Sequence, residues 1–277
     1  MNITYIIGVV LALGVMVFGM IVNIDLTGAS PSPIDVQPLQ IMNFFDAASI
    51  FIVIGCTFAI VVASFPGKTL GSIPKHFGVI LNAGKFKPLE IIDQLVDLAQ
   101  TARKNGLLAL ESKANEQEDP FFKQAIMLIV DANDPDKVRA ILENDIECMS
   151  ARHEDAAALY DKASAVAPAF GMVGTLVGLI NMLKTMDPTT GGGDLGKNMS
   201  TALVTTLYGC ILAHMIFGPI ANNLRIRDSE EVLCKEIIVE GIMSIQSGEN
   251  PKALREKLLT YISQKDRDAS GSGGSGE

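Results

Sequence analysis

Long uncharged apolar stretches alternate with charged ones along this chain, and their lengths set the architecture. Residues 3–22 are apolar and carry no charge, a run of about 20 residues that at ~1.5 Å per residue crosses a ~30 Å hydrocarbon core. A first membrane span is expected there. A cleaved leader is the alternative, disfavoured because no basic segment precedes the run and no small-x-small pattern follows it. Residues 47–65 form a second stretch, opened by Asp46 as a helix N-cap and closed by Pro66 and Gly67, which stop a helix. Residues 163–183 are uncharged between Lys162 and Lys184, and residues 198–224 between Lys197 and Arg225. The fold class expected is an all-α membrane protein: four transmembrane helices, with a helical cytoplasmic domain inserted between spans two and three.

Between the spans the period changes. Leu89, Ile92, Leu95, Leu98 and Ala102 recur at helical spacing after Pro88, and Asn105-Gly106 interrupts that helix before Leu107 resumes it. Residues 121–130 read as another apolar helix. Asn133-Asp134-Pro135 is a helix start, followed by Val138, Ile141, Met149, Ala156 and Leu159 on one face. No breaker follows before Ala167, so that helix is expected to run into the third span. The fourth span is expected to continue toward Gln246, and Asn250-Pro251 to start a last short helix. Strand signals are essentially absent. The divisions expected are a membrane hairpin at 1–65, a cytoplasmic helical domain at 66–162, a second membrane hairpin at 163–224, cytoplasmic helices at 225–269 and a flexible Gly/Ser tail at 270–277.

Charge gives the orientation. No Lys or Arg occurs before Lys68, and of the 22 in the chain only Lys184 and Lys197 lie between spans three and four. Basic loops stay in the cytoplasm, which puts 66–162, 225–277 and both termini inside. The outer loops, 23–40 and 184–197, are short and rich in turn residues (Pro31, Pro33 and Pro38; Pro188, Gly191, Gly192 and Gly193), too small for an external ligand-binding domain.

Of all 277 residues 48% are apolar and 19% charged, the net charge is -9, and the mean hydropathy is +0.32. These values argue against a disordered chain and against an ordinary soluble domain, and the acidity argues against nucleic acid as a partner. Cys56, Cys148, Cys210 and Cys234 are isolated and suggest neither a disulfide framework nor a zinc site.

No catalytic constellation is present: His76, His153 and His214 lack metal-ligand spacing, and the Gly171 to Gly174 segment lacks a phosphate-binding lysine. The chain is not expected to be an enzyme or to hold a cofactor or metal. His214 in span four reads either as a proton relay or, more simply, as a hydrogen-bonded side chain. None of the four uncharged cores contains Asp or Glu. A protein that moves H⁺ or Na⁺ needs a group that binds and releases the ion, so another polypeptide must bring the carboxylate. Spans three and four instead carry hydroxyls (Thr175, Thr205, Thr206), small residues (Gly171, Gly174, Gly178) and two prolines, Pro168 and Pro219, each freeing a carbonyl. Helix packing is one reading of this set. An ion-linked seam of neutral oxygens is the other.

The segment Ala-Pro-Ala-Phe-Gly-Met-Val-Gly-Thr-Leu-Val-Gly-Leu-Ile at 167–180, Ala-Leu-Val-Thr-Thr-Leu-Tyr-Gly at 202–209 and Ala-Arg-Lys-Asn-Gly-Leu-Leu-Ala-Leu-Glu at 102–111 closely resemble the MotA/PomA family of bacterial flagellar stator proteins. The resemblance extends over nearly the whole chain. It implies an inner-membrane ring, pentameric in that family, around a MotB/PomB-type dimer of single-span helices that supplies the missing aspartate and grips peptidoglycan. It implies that Arg103 and Glu111 are the charged pair that engages the rotor protein FliG, that Pro168 and Pro219 are the pore-side prolines, and that Thr206 faces the partner's aspartate. Sodium-type members resemble the chain at Thr175 and Thr205, so Na⁺ is expected over H⁺. The rival within the same wider group is an energy transducer of the ExbB/TolQ kind, disfavoured because those proteins have three spans. A channel or scaffold acting alone is the other rival.

Overall fold

The computed structural model describes residues 3–24, 34–81, 86–184, 193–264 and 267. Most of the outer-loop turn residues named above (Pro31, Pro33, Pro188, Gly191, Gly192) and the tail at 270–277 lie outside them.

Helix α1, Ile3–Ile21, is followed by β1, Val22–Ile24, which pairs antiparallel with β2, Ile34–Val36, in the register Val22 to Val36. This three-residue ribbon had no strand signal in the sequence. It ties off the backbone groups at the end of span one, where the apolar helix runs out. A 3-10 segment, Pro38–Phe44, leads into span two, which is α2 (Ala47–Ile50), a π-helical turn at Phe51–Gly55, and α3 (Cys56–Ser64). The Asp46 carboxylate caps α2 by accepting the Ser49 N–H at 2.8 Å. Pro66 then opens α4, Gly67–Leu70, and α5, Ile73–Leu81.

Helix α6, Pro88–Asn105, stops where Gly106 takes φ 81 and donates its N–H to the Ala102 carbonyl at 2.8 Å. A β-carbon is disfavoured at that angle. A 3-10 turn at Leu107–Ala109 leads to α7, Leu110–Glu116, and then α8, Pro120–Val130. Helix α9, Pro135–Lys184, is unbroken for 50 residues, with Pro168 inside it. Its start is capped as expected, the Asp134 carboxylate accepting the Asp136 N–H at 3.0 Å. Helix α10, Gly193–Ile211, passes through a π-helical turn, Leu212–Phe217, into α11, Gly218–Gln246, and Asn250 caps α12, Pro251–Leu259. Among the described residues four helices are long and apolar enough to cross a membrane, those holding Thr4–Ile21, Ala47–Ser64, Pro135–Lys184 and Leu195–Gln246. The protein is an all-α membrane fold of four spans with the helical cytoplasmic region between spans two and three.

The chain divides into two compact units, one of Met1–Ala83 with Asp155–Arg225, the other of Gly84–Glu154 with Ile226–Glu277. In the first, Val61, Ile80, Tyr160, Ala163, Ile220 and Leu224 form the core. Its outward faces are apolar: Val10 (62% exposed), Phe51 (77%), Phe58 (64%) and Leu176 (59%) need lipid or another chain around them. The second unit is a water-type core of Leu95, Leu98, Phe122, Ile126, Leu142 and Ile242, all nearly inaccessible.

Glu240 on α11 clamps that second core. It accepts from Arg139 of α9 at 3.2 Å and from Lys257 of α12. The Lys257 bond, followed by that of Arg139, holds the Glu240 carboxyl below its ordinary value despite an opposing effect of burial. A depressed native carboxylate pKa contributes stability that is complete above the ordinary carboxylate pKa and is lost as pH falls through the native one. Glu240→Gln is therefore expected to cost about 1–2 kcal/mol at neutral pH, and the difference from the parent to shrink in acid, as read by thermal melts across pH. An undiminished difference below the carboxylate range would exclude the clamp.

Candidate ion seam and rotor-facing surface

The seam is built by glycine. A β-carbon on Gly174 would lie 2.1 Å from Thr205 Cγ2, on Gly178 2.8 Å from Ala202 Cβ, and on Gly171 3.2 Å from the Thr205 carbonyl oxygen. One glycine answers from the other helix: on Gly209 it would lie 2.8 Å from the Ala167 carbonyl oxygen, beside Pro168. Residues 171, 174 and 178 recur at helical spacing, so one face of α9 lies against α10 almost backbone to backbone.

That closeness brings hydroxyls together. Thr175 Oγ1 lies 2.6 Å from Thr206 Oγ1, and 3.1 Å from both the Gly171 and Ala202 carbonyl oxygens. Thr206 Oγ1 is itself 3.4 Å from the Gly171 carbonyl. The result is a half-buried cluster of four neutral oxygens whose two hydroxyls can turn lone pairs outward. Such a cluster can replace water around a small cation without adding charge.

Thr205 is placed differently. It is fully buried, its hydroxyl donating to the Thr201 carbonyl and lying 3.4 Å from Ser49 Oγ, which in turn donates to Asp46 Oδ2 at 2.6 Å. The structure thus brings Thr175 and Thr206 into one group and Thr205 into a chain that joins span two to span four. Tyr208, one turn on from Thr205, donates to the Phe44 carbonyl at 2.5 Å and strengthens the same junction.

Both prolines lie toward the Gly209 end of this contact. Pro168 is carried inside α9 without a break, and Pro219 comes one residue after the π-helical turn Leu212–Phe217, beyond Gly218, a turn whose wider bore eases the entry of a ring with no N–H to give. Ser164 donates its hydroxyl to the Ala213 carbonyl at 3.0 Å in that turn. His214 lies exposed on it. Among the described residues no group of three His, Cys, Asp or Glu side chains could hold a metal.

Arg103 and Glu111 belong to the second unit, on either side of the Gly106 turn. Arg103 is in the last turn of α6 and Glu111 in the first of α7, both exposed, while Leu98, Ala99, Leu110 and Ala114 hold the two helices in the core. Neither charge is in an ion pair among the described residues, whereas Arg139, Arg225, Arg227 and Arg255 all are. An unneutralised cation and anion on fixed helix ends are suited to contact a charged partner.

Two polar clusters escaped sequence reasoning. In the first unit His76 lies 3.0 Å from Ser72 Oγ and 3.2 Å from the Tyr160 hydroxyl. In the second, Asp228 binds His153 at 2.7 Å and Ser150 at 2.6 Å. Each joins residues far apart in the chain, and no local spacing announces them.

Residues 113–237 match the MotA/TolQ/ExbB proton channel family. The chain is 38% identical over 240 residues to Motility protein A of Borreliella burgdorferi, covering 87% of this chain and 91% of that protein. It is 40% identical over 230 residues to the chemotaxis protein PomA of Vibrio alginolyticus, covering 81% and 87%. The flagellar MotAB stator complex of Bacillus subtilis contains a chain of the same fold, with a TM-score of 0.82, 33% identity and coverage of 95% and 96%. The C. jejuni MotAB structure gives the same TM-score at 28% identity.

Proposed function

From its place in the MotA/TolQ/ExbB proton channel family, as a flagellar stator subunit of the Motility protein A and PomA kind, we propose how this chain works. It is a multi-pass inner-membrane protein, a stator component and not a member of an enzyme family. It assembles with a MotB/PomB-type partner and with further copies of itself, in a pentameric ring, both termini in the cytoplasm. The membrane hairpins at 1–65 and 163–224 surround the partner, and 66–162 with 225–269 form the cytoplasmic part.

The observation that carries this reading is the Thr175–Thr206 hydroxyl pair at 2.6 Å, on a seam whose spans contain no acidic residue. An ion arriving from outside neutralises the partner's aspartate beside these oxygens. The charge penalty that held the aspartate off the apolar seam is removed, and the ring steps about the central helices. Loss of the ion to the cytoplasm restores the charge. Na⁺ suits the seam better than H⁺, because a metal cation needs several oxygen ligands and a proton needs only the carboxylate. Pro168, Pro219 and the glycines Gly171, Gly174 and Gly178 set the pore-side helix geometry, Thr205 serves the ion pathway from behind by fixing span four to span two, and Arg103 with Glu111 pushes on FliG. The ExbB/TolQ-like reading is weaker: four spans are present, and flagellar stator chains are matched end to end.

Liposomes test the partner-supplied carboxylate. Flux of Na⁺ or H⁺ should require the MotB/PomB-type protein, and a steady leak through this chain alone would overturn it. For the rotor contact, Arg103→Glu should reduce swimming at least about tenfold through like-charge repulsion while leaving assembly with the partner intact. A charge-reversed FliG should restore motion. Unchanged swimming of the single variant removes Arg103 from the contact.

A further inference from the structure

Helix α5 shows water apolar side chains that water does not suit. Its inner side is firmly seated: Ile80 is 2% exposed, and His76, 8% exposed, is held between Ser72 and a Tyr160 phenol that burial pushes up to about 12. Phe77, 48% exposed, stands on one edge of that buried side, and Val79, 47% exposed, on the other edge, one turn from the exposed ammonium of Lys75. Lys68 on α4 is also exposed, and neither lysine is in an ion pair among the described residues. The local charge is unlike the rest of the chain. Between Asp46 and Glu90 there are four lysines, Lys68, Lys75, Lys85 and Lys87, and no acidic residue, in a protein of net charge -9.

Placement decides what covers this face. Span two ends at Ser64, its outward side lined by Phe51, Phe58 and Val62, and Pro66 turns the chain directly into α4 and α5. The exposed aromatic and the two free lysines therefore begin at headgroup depth, continuous with the apolar flank of the span. An aromatic ring at the acyl boundary with ammonium groups reaching phosphate is the chemistry of an interfacial helix on an acidic leaflet.

We propose that α4 and α5 form a binding site for anionic phospholipid of the inner leaflet. Phe77 enters the acyl boundary, and Lys68 and Lys75 select a headgroup of net negative charge. Through His76 and Tyr160 the bound lipid steadies α9 just ahead of the seam. The inference relies on the cytoplasmic orientation of residues 66–162 and on nothing else in the stator reading.

The chain contains no tryptophan, which supplies the reporter. Phe77→Trp, in the full chain in nanodiscs of equimolar phosphatidylcholine and phosphatidylglycerol, puts one indole on the face. Bromine is placed on the acyl chains of one lipid or the other. The expected result is quenching at least about twofold stronger when phosphatidylglycerol carries the bromine. The preference should fall to parity in Lys68→Gln/Lys75→Gln and at high salt. Equal quenching by both lipids in the parent overturns headgroup selection. An indole that bromolipid does not quench, whether its emission reports water or contact with a second copy, overturns the site itself. The readout uses neither ion flux nor rotation, so its failure leaves the stator function standing.

Discussion

Gly174→Ala is expected to abolish swimming. The new methyl would lie 2.1 Å from Thr205 Cγ2 and 2.7 Å from Thr205 Cβ, separations that no side-chain rotation relieves because the second atom is fixed to the backbone. Helix α9 must then move off α10, at a cost of about 3 kcal/mol, the upper range for overpacking. The Thr175–Thr206 pair opens with it. A merely crowded helix would lose stability and nothing more; here the oxygen cluster depends on the same contact. Thermal melts of the purified complex should fall and motility should vanish. Thr205→Gly in the same chain, which removes both clashing atoms, should restore part of the stability. Full motility in the Gly174→Ala single variant would show that the two helices do not meet as described.

Thr175→Ala should have the next largest effect, and a different one. The hydroxyl is the hub of the cluster, touching Thr206 and two carbonyl oxygens. Its loss leaves the helix packing intact, because alanine fills the same backbone space. Torque should drop at least about tenfold, the scale of losing one favourable ligand of about 1.4 kcal/mol or more from a bound cation. The external Na⁺ needed for half-maximal speed should rise, with assembly unchanged. Thr175→Ser should recover most of the loss. Swimming that follows the pH gradient and ignores external Na⁺, in parent and variant alike, would assign the seam to protons.

Much of this was written in local residue patterns. Asp46, Asp134 and Asn250 cap the helices they were expected to start, and Gly106 ends α6, because caps and left-handed turns depend on a few neighbouring residues. The glycine spacing of Gly171, Gly174 and Gly178 announced close approach, and the structure shows the partner atoms. Thr205 and Thr206 read as one feature, and both do reach α9, Thr205 at Gly174 and Thr206 at Thr175, but set ~100° apart around their own helix they reach it at different points and only Thr206 joins the Thr175 cluster. Which of the two meets Thr175, and that the other meets Ser49, is decided by tertiary packing. The His76–Tyr160 and His153–Asp228 contacts were illegible for the same reason. The ribbon of β1 and β2 is too short for any alternation to register.

The π-helical turn at Phe51–Gly55 bears on how this span can be read or rebuilt. Its buried positions, Ser49, Val53, Thr57 and Val61, recur every four residues. On a regular helix of 3.6 residues per turn such a repeat would drift sideways by ~40° at each step, carrying Val61 toward the bilayer. One widened turn takes up much of that drift and keeps the stripe facing inward. Grafting the span onto an ideal helical template would therefore misalign its lower half, and any design of a chimeric stator has to transplant the irregularity with the side chains.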